Sequence, residues 1–398
     1  MLTIQSDHSA KVVLETGSGR AWTVAFHPDG IHVFGGTGEG IQRWRLADGE
    51  EVGKQTWMDL NAISVSMDEK WVVCGSDGAS VWDAEIREMF IEVEGTTFVS
   101  AVDIAPDCTR FATGNNNWAA SIWSIATGER LVGPLEHGNP VVGVKFSPDG
   151  QRFATASSEG SEASAESSIR IFDSDNGDQL VYIKNPVPRM DPVTPIVWSM
   201  DSQKLFATSE GSKIKSFDST TGSELAEWKI HDDDHPERFS IALSANNKFI
   251  AACASRSVSF WDTSTHTQIG IVTVEDTEQL QCIALSPDGS RLAGGSYTSG
   301  RVNVWDLHSI LPDSYLPVKA SRFLSSRIRF IHHMQNLFGP QPRMQVVIVI
   351  LRNRRPVTKK TMTLSSRYNE YSSFLGDTSL TVLAGRIVTE HACAIIRL

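Results

Sequence analysis

The sequence predicts an all-β protein, a seven-bladed β-propeller followed by a basic C-terminal extension. Apolar residues alternate with a period of two, turn residues interrupt the chain about every 8–12 residues, and one unit recurs about every 40–45 residues. A helical fold is excluded because its apolar positions would recur every 3.6 residues. A repeat of this length is typical of one four-stranded propeller blade.

The recurring unit ends in an aromatic residue that is usually followed by Asp. The clear copies span residues 144–173 and 283–306, and weaker copies use less regular turns. Successive closing aromatics are separated by 38, 41, 49, 45, 44 and 44 residues. We therefore count seven units. The closing aromatics are Trp44, Trp82, Trp123, Phe172, Phe217, Trp261 and Trp305.

The unit that begins at residue 142 shows why each strand is expected. A first strand (142–146) enters a Ser-Pro-Asp-Gly turn, in which Pro presets φ and Gly accepts a positive φ. The second strand (152–157) is rich in small and apolar residues, as a strand buried on both faces should be. The third strand (169–173) alternates, and a more polar fourth strand is expected to lie outermost.

The repeats resemble the WD40 repeat family over about residues 11–310. Trp-Asp pairs stand at 82–83, 261–262 and 305–306, and Phe-Asp pairs replace them at 172–173 and 217–218. The resemblance assigns structural roles to Trp44, Asp77, Trp82, Asp83, Trp123, Phe172, Asp173, Phe217, Asp218, Trp261, Asp262, Trp305 and Asp306.

Two features depart from the family pattern. The family's Gly-His pair is nearly absent, and the nearest match is His137-Gly138 in reversed order. The family's Asp before the third strand occurs only as Asp77. Since the His/Ser/Asp/Trp network of the family is mostly missing, we expect the blades to depend on apolar packing.

The resemblance also implies how the ring closes. The segment 11–16 precedes the first inner strand, and in the family such a strand completes the last blade and covers its edge. We therefore expect a propeller over 11–310, with blade 7 closed by 11–16. Residues 311–398 are expected to form an irregular or partly disordered extension that the fold does not need.

Composition limits the classes of function. Residues 319–398 contain 13 basic and 3 acidic side chains, whereas residues 1–318 contain 23 and 44. The acidic body should repel nucleic acid, but the basic segment 352–360 could bind it or direct nuclear import. No signal peptide, disulfide framework or membrane-spanning apolar run is evident among the 398 residues. We expect an intracellular protein, cytoplasmic or alternatively nuclear, without a membrane partner.

Candidate partner-binding residues lie in loops that share one propeller face. Acidic insertions at 157–168 and 231–238 favour a basic peptide as partner, although solvated surface loops are also acidic. Trp118 is expected to be an exposed anchor, or else to fold onto a neighbouring blade. The candidates are Trp118, Glu159, Glu162, Glu166, Arg189, Asp232, Asp233, Asp234 and Glu237.

The sequence contains no recognisable catalytic or cofactor motif. His231, Asp233 and His235 are metal-ligating residue types, but no fourth ligand is evident. We expect no catalytic, cofactor-binding or metal residues. The predicted function is a non-catalytic protein-interaction scaffold or adaptor, as the resemblance implies. The alternatives are a nucleic-acid-associated factor that uses residues 319–398 and, less favoured, a propeller enzyme.

Overall fold

The computed structural model describes two compact units, residues 1–317 and 318–398, each with gaps. The described ranges of the first unit are 12–17, 19–52, 60–85, 88–158, 167–186, 194–230, 239–254, 256–275 and 278–317. In the second unit they are 344–352, 355–364, 381–384 and 392–397, for which only the backbone is described.

The first unit consists of seven antiparallel sheets, the blades. Blade 1 contains β2 (Ala21–Phe26), β3 (His32–Thr37) and β4 (Gly40–Arg45), and blade 2 contains β5 (Ala62–Val65), β6 (Trp71–Gly75), β7 (Ala79–Asp83) and β8 (Met89–Val93). Blade 3 contains β9 (Val99–Ile104), β10 (Arg110–Asn115), β11 (Ala119–Ser124) and β12 (Arg130–Glu136). Blade 4 contains β13 (Val141–Phe146), β14 (Arg152–Ser157), β15 (Ser168–Asp173) and β16 (Gln179–Lys184). Blade 5 contains β17 (Ile196–Trp198), β18 (Lys204–Ser209), β19 (Lys213–Asp218) and β20 (Glu224–Lys229). Blade 6 contains β21 (Phe239–Leu243), β22 (Phe249–Ala254), β23 (Ser257–Asp262) and β24 (Gln268–Thr273). Blade 7 contains β25 (Leu280–Leu285), β26 (Arg291–Ser296), β27 (Arg301–Asp306) and the N-terminal β1 (Val12–Glu15).

The inner strands form a closed ring, because the first strand of each blade contacts the first strand of the next and β25 contacts β2. The all-β, seven-bladed propeller expected from the repeat is therefore confirmed. The outer edge of β27 is covered by β1, which pairs with it so that Leu14 lies opposite Val302. Leu14 is 1% exposed. The N-terminal strand thus contributes to the core of the last blade.

The tight turns between first and second strands have one backbone requirement in all seven blades. One residue of each turn has a positive φ, between 58° and 72°. Glycine meets this requirement without strain. Elsewhere Glu69, Cys108, Ser202 or Asn247 adopts it, which explains why only some turns are recognisable as Pro-Asp-Gly. The seven residues are Gly30, Glu69, Cys108, Gly150, Ser202, Asn247 and Gly289.

Small residues in the second strands let neighbouring blades approach closely. A Cβ at Gly114 would lie 2.7 Å from Val141 Cγ1 and 2.9 Å from the Val141 carbonyl oxygen in the next blade. Such contacts are shorter than packed atoms tolerate, so any larger residue would push the two blades apart. This close packing explains the small-residue pattern of the second strands.

The closing aromatics are mostly buried. Trp82 and Trp261 are half-buried. Their indole Nε1 atoms donate to Ser80 Oγ at 2.9 Å and to Ser259 Oγ at 2.8 Å. The members that are at most 4% exposed are Trp44, Trp123, Phe172, Phe217 and Trp305.

The aspartates that follow four of these aromatics hold the next turn. Asp218 Oδ1 accepts from the backbone N–H groups of Thr220 and Thr221 at 3.0 and 2.8 Å, and these hydrogen bonds lower the pKa of the Asp218 carboxyl. The side chains of Asp173, Asp262 and Asp306 likewise accept from backbone amides two or three residues later. Their role is structural. Asp83 ends β7 and is half-buried.

Two blades contain part of the polar network expected to be nearly absent. In blade 3, Trp123 Nε1 donates to Thr113 Oγ1 at 2.9 Å. In blade 4, His137 Nε2 lies 2.8 Å from Thr155 Oγ1, and Phe172 replaces the tryptophan. Blade 3 thus has the Trp–Thr hydrogen bond of the network, and blade 4 has the His–Thr hydrogen bond. Asp77 is exposed and contributes its backbone carbonyl, which accepts from the Phe98 N–H.

The first unit extends seven residues beyond the expected boundary at 310, to Pro317. Two 3-10 turns, Leu307–Ser309 and Asp313–Tyr315, continue the chain across blade 6. Leu311 and Leu316 are buried in the cluster that contains Trp305, and Tyr315 Oη donates to Asp262 Oδ2 at 2.7 Å. The boundary differs because these apolar side chains complete the core.

The second unit contains one four-stranded sheet, in which β28 pairs with β29 and runs parallel to β31. The irregular or partly disordered extension expected over 311–398 stays a prediction. The apolar run at 345–351 lies in β28, one of the two inner strands of this sheet. The strands are β28 (Met344–Arg352), β29 (Arg355–Leu364), β30 (Thr381–Ala384) and β31 (Ala392–Arg397).

Candidate functional site

The topology places two kinds of loop on one face of the propeller. Because all inner strands run in the same direction, the turns between second and third strands share a face with the connections between blades. We call this the upper face. The turns between first and second strands lie on the opposite, lower face.

Three loops of blades 2 and 3 form one hydrogen-bonded group on the upper face, residues 76–78, 94–98 and 115–118, which we call the loop cluster. The Phe98 N–H donates to the Asp77 carbonyl at 2.8 Å, and the Asn116 N–H donates to the Phe98 carbonyl at 3.0 Å. The side-chain amide of Asn117 donates to Thr97 Oγ1 at 2.8 Å. These bonds hold the backbone that carries two large aromatic side chains.

Phe98 and Trp118 are the aromatic residues of the loop cluster. Phe98 is 56% exposed and Trp118 is 46% exposed. Both have a positive φ, 48° and 71°. A bulky residue rarely adopts this backbone region, and such strain concentrates at binding and active sites. At the position of Trp118, blades 5 and 7 carry Ser212 and Gly300 with φ of 54° and 68°.

Three acidic residues lie at the upper ends of blades 2 and 3. Asp77 lies in the loop cluster, Glu94 follows β8, and Glu136 ends β12. All three are exposed. The face therefore combines apolar area with negative charge.

A second aromatic group on the upper face, Trp22 and Tyr297, is in contact with an arginine side chain. Trp22 and Tyr297 form an edge-to-face pair with ring centroids 5.5 Å apart. The guanidinium of Arg20 lies 4.5 Å from the Tyr297 ring centroid and 5.2 Å from that of Trp22. Since this cation occupies the ring faces, the group offers less free aromatic surface than Phe98 and Trp118 do.

The structure places Trp118 on the expected face. The other candidate partner residues lie outside the described residues, as do His231 and His235, and they remain predictions. Phe98 was missed by sequence reasoning, because nothing in its sequence neighbourhood distinguishes an exposed phenylalanine from a core one. The candidates outside the described residues are Glu159, Glu162, Glu166, Arg189, Asp232, Asp233, Asp234 and Glu237.

The titratable groups of the described core serve structure. Burial, with a smaller contribution from the charge of Arg170, lowers the pKa of His137 to about 4, although its hydrogen bond to the Leu135 carbonyl opposes the shift. Burial raises the pKa of the Cys282 thiol to about 12, so this thiol is protonated at neutral pH. Asp103 and Lys145 on neighbouring inner strands pair with each other at 2.6 Å.

Within the described ranges, one group of metal-ligating side chains converges, His27, Asp29 and His32, on the lower face. In the same ranges, no helix is long and apolar enough to cross a membrane.

A family model described as "WD domain, G-beta repeat" matches residues 130–173 and 270–306. Each match begins on the fourth strand of one blade and ends with the third strand of the next, at Asp173 or Asp306. The sequence repeat is thus offset from the structural blade by one strand, as the pairing of β1 with β27 requires.

Several curated proteins are similar to this chain. Periodic tryptophan protein 2 of Arabidopsis thaliana is 24% identical over 237 residues, 57% of this chain and 24% of that protein. A guanine nucleotide-binding protein subunit beta from the same plant is 30% identical over 158 residues, 39% of this chain and 38% of that protein. WD repeat-containing protein 1 of Gallus gallus is 22% identical over 318 residues, 76% of this chain and 49% of that protein. The chain spans about half or less of the length of each of these relatives.

The repeat match, the similarity to WD-repeat proteins and the seven closed blades agree. The chain contains WD40 repeats, matched at residues 130–173 and 270–306, and folds as a seven-bladed β-propeller.

Proposed function

We propose that the propeller is a non-catalytic protein-interaction platform whose partner binds the upper face at Phe98 and Trp118. The observation that carries this proposal is the pair of exposed aromatic side chains on a hydrogen-bonded loop cluster. Aromatic residues are enriched among the few positions that supply most of the binding energy of interfaces.

Rigidity supports the proposal. Ordering a flexible loop on binding costs free energy, and a loop that is already fixed avoids that cost. The bonds from Phe98 to Asp77, from Asn116 to Phe98 and from Asn117 to Thr97 fix this surface. The partner therefore meets a preformed surface.

The charge around the pair indicates the partner's chemistry. Asp77, Glu94 and Glu136 are exposed in or beside the loops of blades 2 and 3, and the sequence adds Glu159, Glu162 and Glu166 between β14 and β15. A partner segment with apolar side chains next to lysine or arginine complements this surface. This agrees with the basic peptide expected from the sequence.

The comparisons support a role in assemblies. The name of the guanine nucleotide-binding relative describes a subunit, and we extend that kind of role to this chain. A cytoplasmic location, with a nuclear one as the alternative, is part of the same proposal. Catalysis is disfavoured because the buried His137 and Asp103 and the partly buried Lys145 are engaged in structural bonds.

The nucleic-acid alternative depends on residues 319–398, whose side chains lie outside the described residues. It stays a prediction. The test is to compare proteins captured by the full chain and by a chain ending at residue 317, each at low and high salt. We expect both chains to capture the same proteins. Capture by the full chain alone, lost at high salt, would instead assign the function to the basic tail.

A further inference from the structure

The turn between β2 and β3 of blade 1 differs from the equivalent turns of five other blades. In those blades a serine Oγ donates to the Asp or Asn two residues later, at 2.5–2.8 Å. Blade 1 has His27 in place of the serine. His32 stands five residues after His27, where the other five blades have an aromatic or basic residue. The five pairs are Ser66–Asp68, Ser147–Asp149, Ser199–Asp201, Ser244–Asn246 and Ser286–Asp288.

The two imidazoles converge on one carboxylate oxygen. His27 Nδ1 lies 3.0 Å and His32 Nδ1 lies 2.6 Å from Asp29 Oδ2. The three atoms all lie within 4.8 Å of one another. The His27 side chain is 6% exposed, whereas those of Asp29 and His32 are 21% and 14% exposed. The group is therefore anchored in the core and open to solvent on one side.

The two carboxylate oxygens of Asp29 have different hydrogen-bond partners. Oδ1 accepts from the backbone N–H groups of Ile31 and His32 at 2.8 and 3.1 Å, which holds the turn. Oδ2 faces only the imidazoles among these contacts. Oδ2 is thus the carboxylate oxygen on which both rings converge.

The imidazole nitrogens have donors beside them as well as this acceptor. The Asp29 N–H points at His27 Nδ1 at 3.3 Å, and Arg43 Nη2 lies 3.3 Å from His32 Nδ1. An imidazole Nδ1 that donates to Asp29 Oδ2 carries a proton, and a metal ion that binds at these three atoms takes the place of that proton.

We propose that His27, Asp29 and His32 form a binding site for a divalent transition-metal cation of the zinc class. Two imidazole nitrogens and one carboxylate oxygen are a ligand set that zinc accepts, with water as the fourth ligand. The open side of the group leaves space for that water. Imidazole also suits copper and nickel, so these ions are expected to compete.

Two nearby arginines set the affinity. Arg43 contacts His32, and Arg291 of blade 7 donates to the Gly30 carbonyl of the same turn at 2.9 Å. Both repel a cation, and Arg43 must move away from His32 when the metal binds. Replacing Arg43 by valine, the residue that blades 2 and 7 carry at the equivalent positions 81 and 304, should therefore strengthen binding roughly tenfold.

The test is titration of the full chain with Zn²⁺ by calorimetry and with Co²⁺ by visible absorption. We expect one ion per chain at this site. H27S and H32R, which install residues that other blades carry at these positions, should each weaken binding by at least about tenfold, because each removes a ligand. Thermal unfolding without metal shows whether these variants fold. D29N installs asparagine, which blade 6 carries at this position as Asn246. If H27S or H32R does not fold, D29N is used in its place, and it should also weaken binding because it removes the carboxylate ligand.

The matched control is the double variant H231A/H235A, which removes the other His-rich segment of the sequence. Binding retained in this control, lost in H27S and H32R and strengthened in R43V supports the site. Binding that H27S and H32R leave unchanged, or wild-type binding no tighter than that of H27S/H32R, overturns it. Neither result bears on the upper face, so the proposed function is tested separately.

Discussion

Asn117 and Thr97 lie in two different loops, and the Asn117 side-chain amide donates to Thr97 Oγ1 at 2.8 Å. Thr97 immediately precedes Phe98, and Asn117 immediately precedes Trp118. The bond therefore joins the two segments that carry the exposed aromatics. It makes the pair one structural unit.

The backbone of this unit is strained. Phe98 and Trp118 both adopt a positive φ that costs about 1–3 kcal/mol for a residue other than glycine. Other blades show that the turn forms with Ser212 or Gly300 at the position of Trp118. The aromatic side chain is thus not needed to form the turn, which is consistent with a role in binding.

His137 gives the propeller a pH-dependent stability. Its pKa is about 4 in the folded protein, below the ordinary value of 6.5, because burial disfavours the charged imidazole. The unfolded chain therefore binds the proton more readily. This contribution to stability is fully present above pH 6.5 and is lost as the pH falls toward 4.

We expect the free energy of unfolding of the wild type to fall between pH 7 and pH 4.5 by about 2 kcal/mol more than that of H137Q. Glutamine keeps a donor and an acceptor but does not titrate. Urea unfolding at the two pH values gives the difference. Equal losses in both proteins would show that His137 does not carry this dependence.

The N-terminal strand should contribute measurably to ring closure. Leu14 is 1% exposed in β1, whereas its neighbour Val13 is 46% exposed on the opposite side of the strand. L14A should lower the free energy of unfolding by about 2–5 kcal/mol, because it leaves a cavity. V13T, the matched control, should change it by no more than about 0.5 kcal/mol. If the two substitutions have the same effect in chemical denaturation, β1 does not belong to the core.

The structure also predicts where the propeller can be shortened. A chain ending at residue 317 keeps Leu311 and Leu316 buried and keeps the hydrogen bond from Tyr315 to Asp262. A chain ending at 310 loses these contacts and should be less stable by about 3 kcal/mol or more. Thermal melting of the two chains gives the comparison, and equal melting temperatures would restore the boundary at 310.

The sequence was sufficient for the fold because its periodicities are physical. The alternation of apolar and polar residues indicates which side of a strand is buried. The spacing between the recurring aromatics of the third strands, such as Trp123, indicates the length of one blade. Turns without Pro-Asp-Gly were harder to recognise because Glu69 and Cys108 adopt the positive φ that glycine normally takes.

The site was less predictable. Trp118 could be named as a candidate because a tryptophan is unusual in a tight turn. Phe98 could not, because its neighbours in the sequence resemble those of a core residue. The convergence of His27 and His32 depends on the path of one turn, and the Pro-Asp-Gly motif between them was interpreted only as a turn. The role of His137 was obscured by the reversed order of its Gly-His pair.

The central claim is that Phe98 and Trp118 bind the partner. Its most direct test is the dissociation constant of a purified captured partner for the full-length wild type, F98N, W118N and M67N. Asparagine tolerates a positive φ, so F98N and W118N should fold at least as well as the wild type. Met67 is 66% exposed in a turn on the lower face and serves as the control. We predict that F98N and W118N each weaken binding at least about tenfold and that M67N does not. Unchanged affinity in F98N and W118N, or a loss confined to M67N, would contradict the account.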